Sequence, residues 1–433
     1  MGILPLVVLL CSFLAFALLG LPVFISMGLA SVVYCTIFWS TSSFTTIAAE
    51  MVEFLNNFAF LCVPFFILAG DLMNAGGITR RLVGFSTAIM GHIQGGLSHV
   101  NIAASMIFSG VSGSAVADTS AIGSVLIPAM KEDGYPAAYA AAVTAASSTI
   151  GPIIPPSIPL VIYGLINEQS IGRLFLAGAI PGTMLGLYLL VVSYLISKRR
   201  NYPARPRASF RQILKSTVDA AFALVMPLII IGGIVSGIVT PTEAGVLAVA
   251  YALVIGLFVY RELSFTHLPH LFCRSIIYSS YILAIIATAG IFSYLVAEMR
   301  AGEVLLNFFT SVSQSKWVIL CILNIFFLIW GCILEPMTAL VVVVPMLMPL
   351  VKAVGIDPIH FGVVVVLNLM IALFTPPVGI GLYLATTLSG ERFNLVVRET
   401  PPFLLALVLA LISVTFVPEL SLWLPRVFMG QQG

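Results

Sequence analysis

Long runs of hydrophobic residues dominate this chain, and the first charged residue is Glu50. A helix needs about 20 consecutive apolar residues to cross the hydrocarbon core of a bilayer, and the opening stretch alone exceeds that length. Comparable runs recur to the end of the sequence, so we predict about ten membrane-spanning helices, half of them on either side of the chain's midpoint. They lie near residues 3–19, 21–39, 58–76, 136–165, 179–197, 218–237, 241–260, 277–297, 358–388 and 401–420.

One further apolar segment in each half contains a polar interruption. Residues 97–133 are interrupted at SGVSGSAVAD, and residues 316–354 are interrupted at GCILEPMT. Irregular backbone at membrane depth is tolerated only where protein buries it or where it lines a wet cavity. We therefore predict two re-entrant hairpins, each a pair of short helices that enters and leaves the membrane on the same side. The predicted fold class is an all-α polytopic membrane protein.

The two halves also repeat one another. When the sequence is shifted by 221 positions, identical residues meet at helix-breaking positions. The matched pairs are Pro128 with Pro349, Lys131 with Lys352, Gly134 with Gly355, Pro155-Pro156 with Pro376-Pro377, and Pro181 with Pro402. An odd number of spans per half requires the halves to lie in opposite orientations. We predict a first inverted repeat over 1–197, a linker over 198–215 and a second inverted repeat over 216–433, as in secondary transporters.

The linker is the one sizeable polar stretch of the sequence. It contains seven basic residues and no acidic residue. Cytoplasmic loops of membrane proteins carry an excess of Lys and Arg. A cytoplasmic linker places 14 of the 19 Lys and Arg residues inside and 5 outside. We therefore predict a cytoplasmic linker and two periplasmic termini.

The composition excludes several classes of protein. Hydrophobic residues make up 60% of the chain and charged residues 8%, against about 25% charged residues in a typical soluble domain. The net charge of +2 argues against a nucleic acid partner. The chain has no GxxxxGK[ST] loop, which excludes an ATP-driven pump within it. The six cysteines stand singly and no acid/base or metal-ligand cluster is evident, so we expect neither an enzyme nor a covalent cofactor.

Four breaks in the predicted helices are the candidate sites of transport, at residues 109–123, 147–157, 333–338 and 373–379. Proline pairs in the second and fourth breaks remove N–H donors and force unwinding, which frees carbonyl oxygens. Freed carbonyls and Ser or Thr hydroxyls are hard ligands suited to Na⁺, whereas opposing helix N-termini favour a carboxylate. This chemistry predicts a cation-coupled carrier of organic anions. An ion channel would instead require a continuous polar lining on several helices.

Each candidate residue also has a purely structural interpretation. Ser112, Gly113 and Ser114 are small enough to serve only close helix packing. The hydroxyls of residues 147–149 can bond back to their own helix. Both interpretations stay open for these residues.

The charged candidates have two interpretations as well. Asp118 follows an uncharged run over residues 82–117, and a carboxylate at that depth is costly and by default functional. It could instead cap the second helix of its hairpin. Glu335 holds a comparable place in the second hairpin. Arg300 could pair with a substrate carboxylate, snorkel to the interface or pair with a neighbouring glutamate.

Four motifs carry a family resemblance. VPFFILAGDLMNAGGITRRL (63–82), GVSGSAVADTSAIGSVLIPAMKEDGY (110–135), ASSTIGPIIPPSIPLVIYG (146–164) and FTPPVGIGLYLA (374–385) resemble the large membrane subunit of tripartite ATP-independent periplasmic (TRAP) transporters. The resemblance implies a bacterial inner-membrane protein of the elevator type that imports small organic acids, commonly C4-dicarboxylates or sialic acid, by Na⁺-driven symport. It also implies two partners, a small four-helix membrane subunit and a soluble periplasmic binding protein.

The resemblance also implies a set of site residues. One Na⁺ would lie near Ser112, Ser114, Thr149, Gly151 and Pro152. A second Na⁺ would lie near Gly331, Glu335, Thr338, Thr375 and Gly379. The substrate would contact Ser112, Gly113, Ser114, Asp118, Arg300, Pro155 and Pro376. Because the chain begins at the large subunit's first helix, we expect a separate small subunit. The main alternative is a self-sufficient Na⁺/dicarboxylate symporter that needs no binding protein.

Overall fold

The computed structural model describes residues 4–39, 44–377 and 379–430, and every regular element in these ranges is helical. The first half contains α1 (Leu4–Leu18), α2 (Val23–Phe38), α3 (Phe44–Leu55), α4 (Cys62–Ala75), α5 (Ile78–Met90), α6 (Gly96–Ser112), α7 (Ala115–Glu132), α8 (Ala137–Ser148), α9 (Ile158–Ile166) and α10 (Ile171–Arg200).

The second half begins after the linker. It contains α11 (Phe210–Val235), α12 (Pro241–Val254), α13 (Leu268–Glu298), α14 (Ala301–Val312), α15 (Lys316–Ile333), α16 (Pro336–Thr338), α17 (Val344–Ala353), α18 (Pro358–Phe374), α19 (Ile380–Ser389), α20 (Phe393–Glu399), α21 (Pro401–Phe416) and α22 (Glu419–Met429). A π-helical turn, Ala339–Val343, joins α16 to α17.

The predicted all-α polytopic fold is confirmed. Within the described ranges, seven helices are long and apolar enough to cross a membrane, or eight if the bent pair α20 and α21 counts as one span. Other predicted spans correspond to shorter apolar helices such as α1, α2 and α18. The two interrupted segments each form two helices, α6 with α7 and α15 with α16–α17.

Five helices are absent from the prediction. They are α3, α5, α14, α20 and α22. Each is shorter than the about 20 apolar residues that mark a span. Both α5, which carries Arg80 and Arg81, and α14, which carries Glu303, also mix polar with apolar positions. An amphipathic helix of this kind has no long hydrophobic run to reveal it.

Several helix starts follow standard capping chemistry. Ser209 and Gln212 form a reciprocal capping box at α11, and Thr240 and Glu243 form another at α12. Asp357 accepts hydrogen bonds from the first N–H groups of α18. Capping therefore accounts for the place of Glu243 in the first turn of α12.

The helices pack into two bodies. We call α1–α4 and α11–α13 the scaffold body, because α13 packs on α2, α3 and α4 while α12 packs on α4 and α11. We call α6–α10 and α15–α22 the hairpin body, because α8 packs on α6, α7 and α19 while α18 packs on α10, α15 and α21. Two helices bridge the bodies at equivalent places. Helix α5 contacts α6 and α11, and α14 contacts α17 and α13.

The first hairpin opens at the end of the molecule where the linker lies, which we call the linker end. Arg205 of the linker forms two hydrogen bonds to Asp133, at 3.0 and 3.1 Å. Its backbone N–H donates to Gly91 O (2.9 Å), and Gly95 N–H donates to Pro203 O (3.2 Å). Both ends of the α6–α7 hairpin therefore meet the linker.

The second hairpin opens at the opposite end. Helix α21 connects the two ends of the molecule. It begins after Glu399, which pairs with Arg200 of the linker at 2.8 Å, and after 16 residues it ends close to Glu419. Lys316 and Gly355, at the two ends of the second hairpin, line one cavity together with Glu419. The two hairpins thus enter the molecule from opposite ends, as an inverted repeat predicts. The exact repeat boundaries stay a prediction.

Candidate transport site

The tip of the first hairpin is a tight turn packed against a proline break. Helix α6 ends at Ser112, Gly113 takes a left-handed conformation with φ +60°, and the Ser114 side chain accepts a hydrogen bond from Ala117 N–H at the start of α7. A side chain at Gly113 would collide with Pro156 O, and Ile158 N–H donates to Gly113 O at 3.4 Å. Glycine is required here by both its φ value and this close approach.

Asp118 lies at the centre of this region and is fully buried. Its Oδ1 accepts a short hydrogen bond from Ser112 Oγ, across the turn. Its Oδ2 has no hydrogen-bond partner among the described residues. A methyl group on Gly151 would overlap Oδ2, so this oxygen faces the backbone of the proline break. The alternative of Asp118 as a helix cap is wrong, because Ser114 is the cap of α7.

The break between α8 and α9 exposes few free groups. Thr149 Oγ1 donates to Ala146 O at 2.7 Å, which is the structural interpretation considered for this hydroxyl. Ser157 Oγ donates to Pro152 O and accepts from Leu160 N–H at 3.2 Å. Pro155-Pro156 contains a cis peptide bond. Gly151 and Pro152 lie against the tip of the first hairpin. Thr149 Oγ1 donates its proton to Ala146 O, so its lone pairs can still accept a hydrogen bond or bind a cation.

The second hairpin has a different tip. Leu334 is extended, and Glu335 stands at the N-cap position of α16 without a side-chain cap. Glu335 Oε2 accepts a hydrogen bond from Tyr281 of α13 at 3.1 Å. Thr338 Oγ1 is buried and has no partner among the described residues.

The comparison of Glu335 with Asp118 needs correction. Under the shift of 221 positions, Glu335 aligns with Ser114, and both residues occupy the N-cap position of the second hairpin helix. Ala339 stands where Asp118 stands in the first hairpin. The buried carboxylate therefore has no counterpart in the second half.

The second proline break lies between α18 and α19. Thr375 Oγ1 donates to Ile371 O at 2.7 Å, and Gly379 has φ +37°. Gly331 of α15 packs against α18, since an added Cβ would lie 2.6 Å from Ala372 Cβ. Residue 378, within this break, lies outside the described residues. In this break, as in the first, the threonine hydroxyl donates to a carbonyl of its own helix. The helix before this break packs against the second hairpin.

Two adjoining cavities connect these elements. A cavity lies between the two hairpin tips and is lined by Ser114, Pro152 and Glu335, among others. A larger crevice lies between α4, the first hairpin and α13. Ser114 and Tyr278 line both spaces, so the two spaces are neighbours.

Four of the predicted substrate contacts do not line these cavities: Asp118, Arg300, Pro155 and Pro376. Arg300 is 18 residues beyond Ile282, a cavity-lining residue of α13, which corresponds to about 27 Å along a helix. Its side chain is 77% exposed, and its nearest acid is Glu303 at 3.9 Å. Pro155 and Pro376 belong to the breaks but are not among the described residues that line either cavity.

Sequence reasoning missed one wall of the site. Asp71, Arg274, Tyr278 and Tyr281 all line the crevice. One signal in the sequence could have indicated this wall. The spacing of Arg274, Tyr278 and Tyr281 places polar groups along one side of a helix. Arg274 is one of the 14 Lys and Arg residues placed in the cytoplasm by the sequence, and its charge served only to predict the orientation of the chain.

A family model described as "Tripartite ATP-independent periplasmic transporter, DctM component" matches residues 10–420. The chain belongs to this family. It is a multi-pass membrane protein of a bacterial TRAP transporter, and no enzymatic role attaches to it because its curated relatives are transporter permeases. The predicted family resemblance is confirmed.

Named relatives of this DctM-family chain match it over nearly its full length. It is 40% identical to the sialic acid TRAP transporter large permease protein SiaM of Vibrio cholerae, covering 95% of this chain and 96% of the relative. It is 37% identical to the C4-dicarboxylate TRAP transporter large permease protein DctM of Pseudomonas aeruginosa, covering 93% and 94%. It is 36% identical to the isethionate TRAP transporter permease protein DctMQ of Oleidesulfovibrio alaskensis, covering 97% and 66%.

A solved structure supports the fold of this DctM-family chain. The YdaH transporter of Alcanivorax borkumensis superimposes with a TM-score of 0.59, covering 86% of this chain and 87% of that one. The identity is 13%, so the match concerns the fold alone.

Proposed function

We propose that this large permease carries a small organic acid anion, of the C4-dicarboxylate or sialic acid type, in symport with Na⁺. The printed names of the SiaM and DctM relatives support the substrate class. The observation that carries the proposal is the buried Asp118 carboxylate, whose Oδ2 has no partner among the described residues and faces Gly151 of the first proline break. A buried carboxylate oxygen without a hydrogen-bond donor is costly unless a cation or a proton compensates it.

Na⁺ fits this environment better than a proton relay does. Ser112, Ser114 and Thr149 supply hydroxyl oxygens near the same break, and such ligands coordinate a hard cation without titrating. A proton path would require several carboxylates or histidines in series. Of the described residues that line the smaller cavity, Glu335 is the one acid. We assign the first Na⁺ to the Ser112–Asp118–Gly151 region and the second to the Glu335–Thr338 tip with Thr375.

An elevator movement accounts for the two-body packing. The hairpin body holds all four breaks, and α5 and α14 connect it to the scaffold body at two equivalent places. In our proposal, the hairpin body carries ions and substrate across while the scaffold body stays fixed. The crevice between α4, the first hairpin and α13 would then be the release path at the linker end.

The proposed assembly includes two further proteins. One is a small membrane subunit. The name of the relative DctMQ, of which this chain covers 66%, combines the letters M and Q, which supports a second membrane component. The other is a soluble periplasmic protein that delivers the substrate.

Reconstitution tests the proposed function. Proteoliposomes containing the complete complex should accumulate succinate or N-acetylneuraminate under an inward Na⁺ gradient, and uptake should survive collapse of the pH gradient. Omission of the binding protein should reduce uptake to background. Strong uptake without the binding protein would favour the self-sufficient symporter, and equal uptake from a pH gradient in Na⁺-free buffer would overturn the Na⁺ assignment.

Reporter fusions test the proposed orientation in the inner membrane. A fusion after Pro206 should report the cytoplasm, and a fusion at the C terminus should report the periplasm, because basic loops are retained inside. Reporters on the same side would contradict the opposite orientation of the two halves.

A further inference from the structure

The crevice beside the first hairpin contains a single basic side chain among the described residues that line it. This residue is Arg274, on the first two turns of α13. Tyr278 and Tyr281 follow on the same helix, and Ser114 and Ser120 face the crevice from the first hairpin. The crevice therefore has a largely apolar lining with a few polar groups and one guanidinium group.

Arg274 has no side-chain partner among the described residues, a property it shares with Arg211, but of these two only Arg274 lines the crevice. Arg81 pairs with Glu262 at 2.7 Å and covers the ring of Tyr260. Arg200 and Arg205 pair with Glu399 and Asp133. Within the described ranges, no hydrogen bond or ion pair to a protein group involves the Arg274 side chain. An exposed guanidinium with five free donors is a ready ligand for a carboxylate.

The nearest acid of the crevice does not neutralise this group by direct contact. Asp71, on α4, also lines the crevice, but its Oδ2 accepts a hydrogen bond from Ser275 Oγ at 2.6 Å. No ion pair within 4.0 Å joins Asp71 to Arg274 among the described residues. The Arg274 side chain is therefore available to an incoming anion.

The helical spacing along α13 gives the distance between Arg274 and the tip of the second hairpin. It is seven residues before Tyr281, which bonds Glu335 at the tip of the second hairpin, and seven residues span about 10 Å of helix. A small carboxylic acid leaving the tip cavity reaches Arg274 within about two of its own lengths. Arg274 also lies on the side of the crevice nearer to the start of α13 at Leu268.

We propose that Arg274 binds the carboxylate of the transported anion in the crevice, as a station between the hairpin tips and the linker end. This inference rests on the proposed function, because it assumes an organic anion as substrate. The planar guanidinium can hold a carboxylate through two parallel hydrogen bonds, which a lysine cannot reproduce. An arginine that merely snorkels to the lipid headgroups would contribute nothing to substrate binding.

Equilibrium binding to the complete permease complex in nanodiscs tests the proposal, because both faces are then accessible. The probes are radiolabelled succinate and N-acetylneuraminate, each measured in NaCl. For the probe that the wild type binds, we expect Arg274→Gln to raise the dissociation constant about tenfold and Arg274→Lys about threefold. Arg211→Gln is the matched control, because Arg211 is exposed on α11 and does not line the crevice. Added KCl should weaken wild-type binding and leave Arg274→Gln unaffected.

A chemical readout is independent of any folding defect in the variants. Phenylglyoxal modification of Arg274, followed by peptide mass spectrometry on the wild-type complex, should slow when the bound probe and Na⁺ are present. Modification of Arg211 should be unchanged.

The outcomes separate the two proposals. Wild-type affinity in Arg274→Gln, or modification of Arg274 that ignores the probe, would overturn the role of Arg274 and leave the proposed function intact. A wild-type complex that binds neither probe would overturn the proposed function and this inference with it.

Discussion

The two hairpin tips occupy equivalent places in the two halves, yet they are held in different ways. At the first tip, Ser112 bonds Asp118 and Gly113 packs on the break before α9 within the hairpin body. Ser114 also bonds Tyr278 of α13. The second tip is tied to the scaffold body, where Tyr281 of α13 bonds Glu335. It also continues into a three-residue helix and a π-helical turn, whereas α7 is regular from its cap onward.

The difference indicates a division of labour between similar structures. The bond between Ser112 and Asp118 lies inside the hairpin body, so it can be kept when that body moves. A tip that is bonded across the body interface must give up that bond when the bodies move, at a cost of about 1 kcal/mol for a typical hydrogen bond. We therefore expect the first hairpin to determine ion binding and the second to influence which conformation is populated.

The largest effect is expected at the first tip. Asp118→Ala should lower Na⁺-driven uptake about a hundredfold, because it removes a buried carboxylate, and a hydrogen bond or ion contact to such a group is worth about 1.5–3 kcal/mol. Uptake of the labelled substrate into proteoliposomes measures this. Ser124→Ala, also on α7 but exposed, is the matched control and should transport normally. Near-normal uptake by Asp118→Ala would reduce this carboxylate to a dispensable packing group.

A smaller effect is expected at the glycine that faces Asp118. Gly151→Ala should raise the Na⁺ concentration for half-maximal uptake about tenfold, because the new methyl group must displace Oδ2 in a close-packed site. Gly381→Ala is the matched control in the second half, since its Cβ would meet only ordinary contacts at 3.5 Å or more. Equal Na⁺ dependence in the two variants would show that Oδ2 does not contribute to ion binding.

The second tip should affect conformation more than ion binding. Tyr281→Phe deletes the hydroxyl that bonds Glu335 in the present structure, in which the crevice is open. The variant should lower the population of this conformation about fivefold. Maleimide labelling of a cysteine introduced as Ser120→Cys reports this population, because Ser120 lines the crevice. Tyr251→Phe is the control, since its hydroxyl bonds Phe222 O within the scaffold body. Unchanged labelling would remove the proposed link between the second tip and the scaffold.

The smallest effect is expected at the two threonines of the breaks. Thr149→Val and Thr375→Val should each raise the Na⁺ concentration for half-maximal uptake about threefold, because each hydroxyl already donates to its own helix and can offer only a lone pair. Thr183→Val, on α10, deletes a hydroxyl with the same kind of backbone bond outside the breaks. A shift as large in Thr183→Val would assign the effect to helix stability rather than to ion coordination.

The sequence predicts the breaks well and their partners poorly. Small residues and proline pairs mark the two tips and the two breaks, because such residues have few other uses inside a membrane helix. The contact of Asp118 with Gly151 joins residues 33 positions apart on different helices, and periodicity carries no information on that pairing. Asp118 therefore stood out as a buried acid while its orientation toward the break did not.

The misplacement of Arg300 and the omission of Arg274 have one cause. A single charge next to a predicted span can face lipid headgroups, a partner or a cavity, and the linear sequence does not distinguish these cases. Only the packing of α13 against α4 and the hairpins shows that its start lines the crevice while its end does not. Short amphipathic helices such as α5 and α14 escape prediction for a related reason, since their role depends on the two bodies they join.

The way the linker is fastened limits how far the hairpin body can travel. Pro203 and Arg205 bind the open end of the first hairpin, whereas Ser209 already caps α11 of the scaffold body. Only four peptide units separate Arg205 from Ser209, and an extended chain of that length reaches about 14 Å. While these contacts hold, the linker is a tether of fixed length. It limits the separation between the open end of the first hairpin and the start of α11 to about 14 Å.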